Sequence, residues 1–216
     1  VGTPLALPDA PGEHGKVTKK GAGKFLINGT TTFTGPIAVE KGEVELGGGG
    51  MVTLQGGVQI DGIGLLDLHN RNQDFALGAG SVSRVDGTVQ LASGKALIVT
   101  NTASLSGTGT VERVTLQSGA ILAKDKATGA SLLRIASLTM APGATVALTG
   151  YTEAEFRAGI AFVNGTNLSV PRGSQMTFTL NGVVHDYVAV RTIPDGSGGY
   201  QIVAYAYTPG TMVRVL

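Results

Sequence analysis

Short apolar runs broken by Gly, Asn or Ser follow one another along nearly the whole chain. "GKFLING", "IAVEKGEVEL", "MVTLQGGVQI", "GTVQLASGKALIV", "RVTLQSGAIL" and "LTMAPGATVAL" are examples. Apolar and polar residues alternate within them, the period of a strand with one dry and one wet face. Helical signals are confined to "TEAEFRAG" (Thr152–Gly159), where Thr152 as N-cap predicts one or two turns. The pattern predicts an all-β chain.

The runs share a phrase: an apolar residue, two small or polar residues, then Gly. It occurs as Val39-Glu-Lys-Gly42, Leu54-Gln-Gly-Gly57, Leu77-Gly-Ala-Gly80, Leu91-Ala-Ser-Gly94, Leu116-Gln-Ser-Gly119, Met140-Ala-Pro-Gly143 and Val170-Pro-Arg-Gly173. Degenerate self-similarity of this kind marks solenoids. Each Gly supplies a bend between two short strands, and inward apolar residues stack on their counterparts one coil away. An antiparallel sandwich or barrel would also give closely spaced strands. The connections, however, are too short for crossover helices, which favours a coil that returns on itself, a parallel β-helix, over residues 18–150.

Beyond residue 150 the strands lengthen, and all five tyrosines fall there. Asn181-Gly182 predicts a hairpin and Pro194–Gly199 a turn. Residues 151–216 therefore read as an antiparallel β cap closing one end of the solenoid. Residues 1–17 read as an extended N-terminal arm.

The stretch from Lys19 to Leu46 resembles the autotransporter-associated β-strand repeat of bacterial autotransporter passenger domains. The resemblance rests on Lys19 or Lys20, Gly21, Gly23, Phe25, Ile27, Gly29, Thr32-Phe33-Thr34-Gly35, Val39, Gly42, Val44 and Leu46. Leu105–Leu148, with its Gly107-Thr108-Gly109 segment, looks like a later part of such passengers, less closely over Lys124–Ala130. The resemblance implies a right-handed parallel β-helix outside a bacterial cell, and it does not imply an enzyme. The membrane barrel that autotransporters carry is not in this chain, which implies a released or excised portion, as does a first residue of Val.

Composition narrows the function classes. A net charge of +1, with Lys16, Lys19, Lys20 and Lys24 the only basic group, argues against a nucleic-acid partner. No apolar run reaches membrane-helix length, so no span is expected in this chain. The absence of cysteine excludes disulfides and thiol chemistry, and suits export. His14, His69 and His185 lie far apart with no metal-ligand spacing, so neither a metal nor a cofactor is expected.

The one densely polar loop in the repeats is "DLHNRNQD". Asp67, His69, Asn70, Arg71, Asn72 and Asp74 are the candidate binding residues, for a glycan or protein contact, against the plainer reading of an insertion between coils. Glu43 and Glu45 alternate with Val44 and Leu46, as the wet face of one strand does. These readings predict a non-catalytic, exported β-helical scaffold at a bacterial surface, serving adhesion, as a stalk or in a matrix. Host or matrix glycans and proteins, or further copies of the chain, would be its partners. One alternative is a self-assembling subunit of an extracellular filament or sheath. The other is a polysaccharide-active enzyme of pectin-lyase-like fold, using carboxylates among Asp61, Asp67, Glu40, Glu43 and Glu45.

Overall fold

A computed structural model describes residues 15–28, 30–47, 52–129 and 131–208. Most of the arm expected over 1–17, and His14 with it, lies outside the described residues. Val17 already belongs to the first strand.

The chain winds as a β-solenoid, about six turns from its first coil to its last. The first coil holds β1 (Val17–Lys19), β2 (Lys24–Asn28) and β3 (Thr31–Phe33), and the second β4 (Ile37–Val39), β5 (Gly42–Gly47) and β6 (Val52–Leu54). The third holds β7 (Val58–Ile60), β8 (Gly64–Leu68) and β9 (Phe75–Leu77). The fourth follows with β10 (Val82–Val85), β11 (Thr88–Leu91) and β12 (Leu97–Val99). Next come β13 (Ser104–Ser106) and β14 (Thr110–Leu116), then β15 (Ile121–Asp125) and β16 (Leu133–Met140). The last coil contains β17 (Thr145–Thr149), the helix α1 (Glu153–Ala158), β18 (Ile160–Gly165) and β19 (Asn167–Ser169). Two hairpins close that end: β20 (Thr177–Leu180) with β21 (Val183–His185), and β22 (Val188–Pro194) with β23 (Tyr200–Ala206).

Along the coils each strand pairs in parallel with its counterpart one coil away, so three faces enclose one core, two of them joining in one sheet through β14. Register sets the core directly. Phe25, Val44, Leu66, Val89, Val111 and Ile135 stack in one column. Phe33, Leu54, Leu77, Val99, Leu116 and Met140 stack in a second. On the third face Leu105, Leu122, Val146 and Phe178 continue a column that Ser83 interrupts. There the Ser83 hydroxyl accepts the Val58 N–H at 3.1 Å, so this buried polar group is satisfied. Each fully buried aliphatic side chain contributes about 1.5–3 kcal/mol.

The Gly phrase is a left-handed corner in six of its seven occurrences. Gly42, Gly57, Gly80, Gly94, Gly119 and Gly143 all have φ between +74° and +83°. Their unequal spacing follows from their places on the coil, since Gly57, Gly80, Gly119 and Gly143 lead into one sheet face while Gly42 and Gly94 turn two other corners. Gly173 differs. It opens a 3-10 turn, and a Cβ there would lie 2.0 Å from the Val188 carbonyl oxygen.

In β14 one corner straightens. Its first residues pair with β11 and its last with β12. Two successive outward residues, Glu112 and Arg113, mark the bend.

Residues 151–208 mix a last parallel coil with the antiparallel cap. Parallel pairing continues past residue 150, β18 and β19 on β16 and β20 on β17. Antiparallel pairing begins only where β21 folds back on β20 and β23 on β18. Four of the five tyrosines, Tyr187, Tyr200, Tyr205 and Tyr207, fall in or beside the antiparallel strands, and the longest strand, β16, precedes residue 150. The hairpin at Asn181-Gly182 forms as expected, both residues taking positive φ. Asn181 Oδ1 accepts the Gly150 N–H at 2.7 Å and its Nδ2 donates to Tyr151 O at 2.8 Å, tying hairpin to coil.

α1 starts at Thr152 with a capping box. The Thr152 N–H donates to Glu155 Oε2 at 2.8 Å, and Lys126 Nζ lies 2.7 Å from Glu155 Oε1. Lys126, then the Thr152 backbone and hydroxyl, hold the Glu155 carboxyl down to about 2. A depressed folded value means that the unfolded chain takes up the proton first. The contribution is therefore complete above about pH 4.5 and lost as pH falls towards 2. Urea unfolding from pH 7 to pH 2 should show wild type and Glu155→Gln converging across that window. A constant gap at every pH would refute it.

Candidate functional site

The polar groups of β2, β5 and β8 gather on the wet side of one face. Alternate residues of a strand point the same way, and the parallel register sets Lys24 beside Glu43 and Glu45 beside Asp67. Lys24 Nζ lies 2.7 Å from Glu43 Oε1 and 2.7 Å from Glu45 Oε2. Asn70 Nδ2 donates to Glu45 Oε1 at 2.7 Å. Asp67, 3% exposed, accepts the His69 N–H at 3.0 Å on Oδ1, which the His69 ring Nδ1 also contacts. Carboxylate oxygens of Glu43, Glu45 and Asp67 fall within 4.8 Å of one another.

Stacked carboxylates repel, and the surrounding groups offset this. Hydrogen bonds to Glu43 and then Glu45 hold the Lys24 ammonium above the usual lysine range. Lys24 first and Asn70 second hold Glu45 below the usual carboxylate range, against Asp67 nearby. Three carboxylates are a donor set for a hard cation. Two of them already converge on the Lys24 ammonium, so the cluster is a partly compensated ion network with carboxylates in excess.

Of the six sequence candidates, Asp67, His69 and Asn70 join this network. Arg71 and Asp74 do something else. Arg71 is 2% exposed, and its Nε donates to Leu46 O at 3.0 Å, one coil back. Burial lowers its pKa, yet a guanidinium remains charged. Asp74 Oδ1 accepts the Ala96 N–H at 2.8 Å, one coil forward, and Gln73 Nε2 donates to Val52 O at 2.8 Å. The loop is thus laced to both neighbouring coils. Asn72 faces solvent.

Of the carboxylates considered for the enzymatic alternative, Glu43, Glu45 and Asp67 come together in this cluster, whereas Asp61 and Glu40 do not join it. Asp61 uses its backbone at a corner, accepting the Gly64 N–H at 2.8 Å, and Glu40 pairs at the surface with Lys20 at 3.5 Å. His185 stands apart from His69, with its ring edge on Phe156 and its Nε2 3.2 Å from Glu153 Oε1.

The sequence reading did not single out Lys24 as the partner of this cluster, nor Lys124. Lys124 is 4% exposed, and its ammonium donates to Thr128 Oγ1 at 2.6 Å, to Gly129 O at 3.0 Å and to Ser131 O. All three acceptors are neutral, and burial pushes its pKa down. It staples the connection between β15 and β16. Compared with protein-family models, curated proteins and solved structures, the chain matches none.

Proposed function

We propose that this chain is a non-catalytic β-solenoid scaffold exported to the outside of a bacterial cell, where it carries an adhesive, stalk or matrix role. The observation that supports this reading best is how far its polar groups are engaged from within. Two of the three clustered carboxylates, Glu43 and Glu45, share the Lys24 ammonium, and the polar loop beside them is laced to its neighbours by Arg71, Gln73 and Asp74. A coil with apolar columns stacked along its inward faces is stiff, suited to holding loops at a distance. No helix among the described residues is long and apolar enough to cross a membrane.

Antibodies raised against the purified chain should label intact, unpermeabilised cells of the source bacterium. Labelling only after permeabilisation would refute export. Acidic and neutral glycans incubated with the protein should yield neither new reducing ends nor unsaturated products. Turnover lost in Asp67→Asn would establish the enzymatic alternative instead.

A further inference from the structure

The cap carries a cleft of about 300 Å³ between the last turn of α1 and the β22–β23 hairpin. Arg157, Ala189, Arg191, Tyr205 and Tyr207 line it. The Arg191 guanidinium lies over the Tyr205 ring, 5.5 Å from the centroid. Tyr207 meets Tyr187 edge to face at 5.9 Å, and both are well exposed, at 38% and 48%. Among the described residues neither the Arg157 nor the Arg191 guanidinium has an ion-pair or hydrogen-bond partner. The carboxylate cluster on the coil, by contrast, already holds its own lysine.

Two unpaired guanidiniums facing one concavity walled by tyrosines form a recognisable chemical pattern. A guanidinium fork binds carboxylate or sulfate through paired hydrogen bonds, and it holds that geometry better than an ammonium. Tyrosine rings give rigid, amphipathic faces for the C–H side of a sugar. The volume is at the lower end of small-molecule sites, room for roughly one or two sugar rings. We infer that this cleft is a binding site for an acidic sugar residue, carboxylated or sulfated, of a glycan chain. A nucleic acid fits less well. Binding one takes a basic track along successive phosphates, whereas α1 itself carries Glu153 and Glu155 beside Arg157. The site does not depend on where the protein is located, so its failure and that of the surface-scaffold reading are distinguishable.

Calorimetric titration of the full chain with oligogalacturonate, a sulfated dextran oligosaccharide, a neutral glucan oligosaccharide and single-stranded DNA tests this. At least one acidic glycan should bind with Kd on the order of 0.1–1 mM, and the polyuronate and sulfate arms identify which anion is preferred. Arg157→Gln and Arg191→Gln should each weaken it at least about tenfold, a loss of about 1.4 kcal/mol. Arg191→Lys, which keeps the charge and loses the fork, should recover only part. Both arginines are exposed, so thermal unfolding of the variants should match wild type and separate lost binding from lost fold. Equal binding of the neutral glucan, tighter binding of DNA, no binding at all, or acidic-glycan binding unchanged in both glutamine variants would each overturn the assignment.

Discussion

Gly107→Ala should destabilise the solenoid by about 4 kcal/mol or more, among the largest effects expected of any single methyl group in this chain. Two causes act together. Gly107 has φ +125°, a backbone state that costs an L-residue about 1–2 kcal/mol. A Cβ there would also lie 2.0 Å from the Val85 carbonyl oxygen and 2.5 Å from its carbon, and both are backbone atoms of the preceding coil. No rotamer relieves such a clash; one coil must move off the other. The surrounding hydrogen bonds oppose that movement. The Gly109 N–H donates to Val85 O at 2.8 Å, the Thr110 N–H to Gly87 O at 2.8 Å, and Asp86 Oδ1 accepts the Thr108 N–H at 3.0 Å. Gly94→Ala serves as the control. Its φ is +77°, but an added Cβ meets nothing within 4 Å, so about 1 kcal/mol is expected. Urea unfolding of both variants reads the difference. Gly107→Ala within about 1 kcal/mol of Gly94→Ala would show that the coils do not approach as closely as described.

The same corner shows how much of this fold could be read from residues alone. Alternation and the Gly phrase were sufficient for the parallel coil, because six of the seven phrase glycines do turn corners with positive φ. What one phrase cannot convey is which corner it turns. A second glycine column, Gly42, Gly64, Gly87 and Gly109, shares one corner where coil backbones touch, and most of its members lack the phrase. Aligning the coils on that column would have revealed the carboxylate cluster, since Glu45 and Asp67 each lie three residues past a column glycine. The Lys24 partnership stayed hidden because it depends on register between coils, which alternation within a strand does not encode. Composition likewise concealed direction: "HNRNQD" is polar throughout, but whether a polar side chain meets solvent or the carbonyl of the next coil is decided by stacking. The cap cleft was hidden for a related reason, as its two arginines come from α1 and β22, far apart in the chain.

Arg71 turns that ambiguity into a measurement. As a ligand-reading residue it would face solvent, and Arg71→Ala would abolish binding at unchanged stability. The structure places its guanidinium inside, with Nε on Leu46 O. Truncation should therefore leave a cavity and a carbonyl without its donor, costing about 3 kcal/mol. Arg71→Met, which refills the space without restoring the hydrogen bond, should recover the packing part, and thus about half of the loss. His69→Ala and Asn72→Ala, whose side chains are largely exposed, should each change stability by less than about 1 kcal/mol. Urea unfolding of the four variants separates the readings. If Arg71→Ala proved no more costly than Asn72→Ala, the guanidinium would not be the tie between the second and third coils, and the polar loop would return as a surface open to a partner.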